Sequence, residues 1–278
     1  EGALVADSLQ MIYRVNGSPF QSVAMQSGGG VNEYVGTIPY LSPPAQVEYY
    51  LRARDVAGNT RTSPALAPGM LHAFDVATEY DNLEAESGWA VNLEGSDNAA
   101  TGQWVRLDPI GTIAQPENDH TTAPGTLCWV TGNAPAGSGD GTADIDAGAT
   151  ALYAPVYDLT GFGTALVKYW RWYSNDQGGG PGADTWVVQA RNNGGVWVTV
   201  ESTLLSSNAW VAQTIDLVAV FGPQLGQVQF KFVGSDLSDP SLVEAAVDDF
   251  EILAEATTVD VTPAGGGPAR FALFGPRP

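Results

Sequence analysis

The chain has little cysteine, histidine, lysine or uninterrupted apolar sequence, and each shortage excludes something. Its 278 residues include a single cysteine, Cys128, so no internal disulfide can form. His72 and His120 are the only histidines, too few beside one thiol for a zinc cage. Lysine occurs only at Lys168 and Lys231; 11 basic residues against 31 acidic ones give a net charge of −20. A surface of that sign repels phosphate backbones, whose binding depends on Lys and Arg displacing counterions, so nucleic acid is not an expected partner. The plain meaning of the charge is solubility; a hard cation such as calcium, which takes carboxylate oxygens, is the expectation for particular acidic clusters. No stretch approaches the roughly 18 consecutive apolar residues of a membrane helix, and no membrane insertion is expected. The numbering begins at Glu1 with neither methionine nor signal peptide, the form of a processed or trimmed piece.

What is present suits β-structure. Apolar residues make up 44% and aromatics 10%, with 33 Gly and 18 Pro and only 15% charged. That composition favours short strands joined by tight turns over long helices. Residues 8–16 alternate, and Gly17-Ser18 turns into Phe20-Gln21-Ser22-Val23. Val47, Tyr49, Leu51 and Ala53 alternate with Glu48, Tyr50, Arg52 and Arg54, the period-2 pattern of a half-buried strand. A turn at Asp55–Asn59 leads to a return at Thr60, and Met70–Val76 closes the unit. Beyond residue 76 the strands lengthen and become rich in Trp, Tyr and Val. Asp184–Arg191 and Val196–Glu201 flank the turn Asn192-Asn193-Gly194-Gly195, the strongest hairpin signal in the chain. Ala165–Tyr173 is apolar on both faces, as a central strand is, and Ala246, Asp248, Phe250 and Ile252 fall in one row of a final strand. No long 3.6-residue period competes. Two packed antiparallel sheets are expected here.

Val47–Asp55 followed by Ala57-Gly58-Asn59 resembles the late strands of fibronectin type III or immunoglobulin-like modules of bacterial secreted peptidases. In the following segment the order Asp81–Glu84, Gly88-Trp89, Ala151–Leu159, Tyr169–Tyr173, Asn208–Trp210 and Ala246–Phe250 is similar to MAM-like jelly-roll domains, which are related in shape to carbohydrate-binding jelly rolls. The organisation expected is all-β: an immunoglobulin-like sandwich at 1–76, a larger antiparallel jelly roll at 77–256, and a linker at 257–278. That linker resembles the lead-in to a C-terminal sorting domain of the type IX secretion kind. The immunoglobulin-like resemblance implies one more strand before Ser8; without it the sheet keeps an open edge, a route to self-association. The single cysteine departs from animal MAM domains, which carry several.

Catalysis has little to stand on. His72 falls in a strand and His120 in the loop 116–122, which is either a cation-binding or a simply solvated loop; neither lies beside a nucleophile elbow or in a His-Glu-x-x-His pattern. For cations, the jelly-roll resemblance implies a calcium ion tying the first strand to the last through Glu84 and Asp248, with Asp249 beside it. Alternation independently turns Asp248 inward, where a carboxylate needs a cation or several hydrogen bonds. Gly139–Asp146 is a second oxygen-rich stretch, offering Asp140, Asp144 and Asp146 without EF-hand spacing. Trp170, Trp172, Trp186, Trp197 and Trp210 are candidates for a sugar-stacking platform, with Asp236–Asp239 and Glu244 as its polar contacts; aromatic residues in strands are more often core residues, and alternation turns half of these inward. The expected function is therefore a non-catalytic, calcium-stabilised accessory or adhesion module of a secreted or cell-surface bacterial protein, with a peptidase domain upstream in the parent. Its partner is a protein or glycan at the cell surface. The alternatives are a carbohydrate-binding module and a subunit of an extracellular assembly or filament.

Overall fold

A computed structural model describes residues 4–5, 8–30, 33–237 and 241–256. The protein is all-β and divides into two compact units, residues 1–77 and Thr78–Thr258. The linker and sorting-domain expectation at 257–278 lies outside the described residues.

The first unit contains β1 (Gln10–Val15), β2 (Gln21–Ala24), β3 (Gln26–Ser27), β4 (Tyr34–Val35), β5 (Ala45–Arg54), β6 (Thr60–Ser63) and β7 (His72–Val76). Strand β5 is central: β1 pairs along one side, from Gln10↔Arg52 to Val15↔Val47, while β6 and β7 share the other. Alternation sends Met11, Tyr13 and Val47 to one face, where they bury against Ile38, Met25 and Leu41 from the segment around the β3–β4 hairpin. Strand β2 is an edge whose residues are mostly exposed.

The second unit is a sandwich of two six-stranded antiparallel sheets. Its strands are β8 (Glu79–Asp81), β9 (Ala90–Val91), β10 (Trp104–Leu107), β11 (Cys128–Thr131), β12 (Gly148–Tyr153), β13 (Tyr157–Asp158), β14 (Phe162–Gly178), β15 (Trp186–Asn192), β16 (Val198–Thr203), β17 (Ser207–Asp216), β18 (Gln227–Asp236) and β19 (Ser241–Ala256). One turn of helix, α1 (Leu217–Phe221), is capped by the Asp216 carboxylate, which accepts from the Val218 and Ala219 amides. One sheet runs β10-β11-β19-β14-β17 with β8 also on β19; the other runs β16-β15-β18-β12-β9 with β13 also on β18. The hairpin read at 184–201 forms as β15 and β16, paired from Trp186↔Thr203 to Ala190↔Val198 with a bulge between Val188 and Gln189.

Between the sheets Trp186, Tyr169, Phe230, Phe232 and Phe250 are fully buried with ring centroids mostly 5–6.5 Å apart. Each such side chain contributes on the order of 2 kcal/mol by leaving water. One ionic tie crosses this core: Glu201 of β16 accepts from Tyr169 and Arg171 of β14 and from the Trp186 indole N–H. Arg171 is 7% exposed, so its pairing prevents an uncompensated buried charge.

Strand β14 is apolar on both faces because both are covered. Its outward Trp172 donates to the Ala114 carbonyl at 2.7 Å, Trp210 of β17 donates to Asn118 at 3.1 Å, and the His120 ring stacks 3.7 Å above Trp170. The 108–127 segment thus roofs this sheet, over a second apolar cluster containing Cys128, Val130 and Ala246. Among the described residues, the opposite sheet carries no such roof.

Candidate functional site

The final strand does not keep the single row its sequence predicts. Val243, Ala245 and Val247 face the core between the sheets, and so do Phe250, Ile252 and Ala254; the phase changes between them. Asp249 adopts φ 46°, and the pairing with β14 slips between Lys168 and Trp170. This bulge turns Asp248 away from Phe250 and under the roof. Asp248 is fully buried there, but its carboxylate is capped by main-chain amides: His120 N–H at 2.8 Å, Thr121 N–H at 3.1 Å and Asp249 N–H at 2.8 Å. Burial and the Asp249 charge push its pKa up to about 7 against those amides. Asp249 goes the other way. Burial would raise it, but donors at His120 Nδ1 (2.6 Å), the Tyr80 hydroxyl (2.6 Å) and the Thr121 hydroxyl (3.0 Å) hold it below the usual range.

Glu84 lies on the same side, its Oε1 accepting from the Thr126 and Leu127 amides at 2.9 Å each. The acid beside it is one that sequence reasoning did not select. Asp119 has a buried Oδ2 with no hydrogen-bond partner, and burial together with Glu84 raises its pKa to about 6. Glu84 therefore stands beside Asp119, while Asp248 is capped by main-chain amides.

Of the second set, Asp140 is exposed, Asp146 accepts from the Thr101 hydroxyl at 3.1 Å, and Asp144 is 2% exposed with an unpartnered Oδ1. Glu244, taken from sequence as a polar contact for a ligand, is 4% exposed and accepts from the Thr131 hydroxyl. It does not reach the surface. Among the described residues no three acidic, histidine or cysteine side chains stand where they would jointly hold a metal ion.

The five tryptophans also separate. Trp186 is core, and Trp170, Trp172 and Trp210 lie under the roof. Trp197 alone stands on the unroofed sheet. That face holds a groove of about 550 Å³ across β12, β15 and β18, with Val187 and Val233 in its lining and Gln189, Lys231, Thr185 and Ser235 beside them. Asp97, Asp184 and Leu237 also line it. Asp97 is occupied by the Thr150 hydroxyl and the Ala151 amide, and Asp184 accepts from the Leu237 amide. Ser238 and Asp239, expected as polar contacts of the tryptophan platform, lie outside the described residues. Beyond Lys231 stands a cluster of Trp197, Tyr153, Arg191 and Glu94. Sequence alternation places Gln189 and Lys231 on an outward face, but nothing local marks that face as the unroofed one.

Neither histidine meets a catalytic partner set. His72 Nε2 is 3.2 Å from Ser63 Oγ on the flank of β5, its ring packed on Tyr49, and among the described residues no carboxylate orients it. His120 is taken by Asp249 and Trp170.

No protein-family model matches the chain, and no curated protein matches it. Solved structures similar to it include the carbohydrate-binding module TmCBM61 in complex with β-1,4-galactotriose (13% identity, TM-score 0.38, 61% of this chain and 90% of that one). Another is the K1 cleaved adhesin domain of Lys-gingipain from Porphyromonas gingivalis W83 (14%, 0.41, 64% and 98%). A third is the CBM22-2 xylan-binding domain of Paenibacillus barcinonensis Xyn10C (11%, 0.35, 64% and 100%).

Proposed function

We propose that the second unit is a non-catalytic glycan-binding module of an extracellular or surface protein, and that its ligand lies in the groove of the unroofed sheet. One observation carries this reading: of the two outer faces of the sandwich, one is sealed by its own loop and the other presents an open groove. Its walls mix amide, ammonium and hydroxyl groups, which match sugar hydroxyls, with aliphatic floor, which matches the apolar faces of a pyranose ring. Binding rather than turnover is the reading proposed: of the two groove carboxylates, Asp97 accepts from the Thr150 hydroxyl and the Ala151 amide, and Asp184 accepts from the Leu237 amide through Oδ1 while its Oδ2 is buried without a partner.

A calcium ion fits the reading as a structural element. Glu84 and the unpartnered Asp119 oxygen are the residues that would hold it, and carbonyls or waters would complete the roughly six to eight oxygens calcium takes. Bound there, it would supply the positive charge that the buried acids lack and fix the roof to the sheet.

A glycan microarray probed with the 78–258 unit, and repeated with Gln189→Ala, tests the function. Binding to a defined class of oligosaccharide that weakens about tenfold in the variant is expected, the scale of one lost ligand hydrogen bond in a formed site. An array with no binder, or binding indifferent to Gln189, would count against the groove.

A further inference from the structure

The second unit contains five basic residues: Arg106, Lys168, Arg171, Arg191 and Lys231. Three have a carboxylate each: Arg106 faces Glu86 at 2.8 Å, Lys168 faces Glu251 at 3.8 Å, and Arg171 is held by Glu201. The remaining two share one. Arg191 and Lys231 both approach Glu94, each at 3.5 Å, so among the described residues this spot pairs two cations with a single anion in a chain whose net charge is −20. It lies at the Lys231 end of the groove.

Glu94 is held by more than charge. The Trp197 indole N–H donates to its Oε1 at 2.8 Å and the Tyr153 hydroxyl donates to its Oε2 at 3.1 Å. Arg191 and Lys231 lie 4.3 and 4.6 Å from the Trp197 ring centre, which keeps both heads in place. The donors come from β12, β15, β18 and the β15–β16 turn, so the cradle belongs to the sheet. Its occupant belongs to a loop. Asn92 is bonded to Ala151 and Asp97 is anchored to Thr150 and Ala151, but Leu93, Glu94, Gly95 and Ser96 between them are exposed, and Leu93 is an apolar side chain 54% open to water. A carboxylate on an exposed loop tip is thus seated in a rigid, net-positive carboxylate site.

We infer that this cradle is a subsite for the carboxylate of a uronic acid residue in the glycan, and that Glu94 occupies it as an internal stand-in which the ligand displaces. The inference rests on the groove being the glycan site. The exchange is of one carboxylate for another: indole N–H, phenol O–H, guanidinium and ammonium all donate, and none has to change protonation. A glycan ligand is favoured over an acidic peptide because the cradle admits one carboxylate and opens onto a groove of hydroxyl, amide and aliphatic groups. A peptide rich in acidic residues would meet the protein's own negative field along its length.

Calorimetric titration of the full chain, Glu94→Ala, Glu94→Gln and Lys231→Met with a neutral oligosaccharide and with an oligouronide of the same length tests this. Removing the stand-in is expected to tighten oligouronide binding about tenfold or more in both Glu94 variants, with neutral binding changed much less, and Lys231→Met to weaken the oligouronide more than the neutral sugar. If Glu94 merely pins its loop, Glu94→Ala would weaken both ligands and Glu94→Gln would restore them; that result overturns the subsite, as would tight binding of poly-glutamate with no preference for the oligouronide. Melting curves of each variant identify any that fail to fold, and Lys231→Met then gives the decision by itself. If neither sugar binds any folded form, the glycan reading fails rather than the subsite alone.

Discussion

Asp248 and Asp249 are adjacent in sequence and held in opposite ways. Asp248 has amides around it but pays for full burial beside a second acid, so its pKa stands near 7; Asp249, with a histidine, a phenol and a hydroxyl donating to it, stays ionised. The sign of the pH dependence follows. A carboxyl raised from 3.8 to about 7 in the folded state keeps a proton that the unfolded chain has already lost, so stability falls as pH rises through that window. Asp119, raised to about 6, acts in the same direction, while the lowered Asp249 contributes a constant amount over the same range. In chelator the melting temperature of the second unit is expected to drop by about 3 °C or more between pH 5 and 7.5, and calcium to recover the loss at pH 7.5. Scanning calorimetry with and without calcium reads this; a flat or rising profile that ignores calcium contradicts the assignment of Glu84 and Asp119 as cation ligands.

At the scale of elements, turns and bulges decide where the acids go. Gly132, just past β11, has φ 74°, and a side chain on it would lie 1.9 Å from the Ala143 carbonyl oxygen. The Gly139–Asp146 loop therefore closes against bare backbone there, which brings Asp144 down beside Glu244. Gly132→Ala is expected to cost at least about 3 kcal/mol, combining a strained backbone with a main-chain clash, and urea denaturation measures it. A change under about 0.5 kcal/mol would mean that this closure does not hold the loop. The strands were legible in the sequence because alternation is a local property: β5 and the β15–β16 hairpin stand where period 2 places them. The bulge at Asp249 was not, since a non-glycine residue at positive φ leaves no mark on the hydrophobic pattern, and one inserted residue reverses the facing of everything before it. Asp119 was not singled out within the 116–122 loop for a related reason: its burial follows from the loop folding over the sheet, which local sequence does not show.

Across the whole molecule, the distinction that matters is between two outer faces of one sandwich. Both are built from tryptophan-bearing alternating strands, and composition treats them alike. One receives the 108–127 loop and becomes a second core; the other stays open and receives two of the five basic residues of its unit. Sequence reading could count the tryptophans but not sort them, because which face a loop returns to is set by long-range closure rather than by any local signal. Blocking the open groove without touching the core separates this account from any other placement of the ligand. Val187 lines the groove and faces outward, so Val187→Trp fills it while leaving the inward Trp186 and Val188 alone. Titration of an array-selected oligosaccharide into wild type and Val187→Trp is the direct test: the account predicts at least a hundredfold loss of affinity (about 2.7 kcal/mol) at an unchanged melting temperature. Undiminished binding to the filled groove would contradict it.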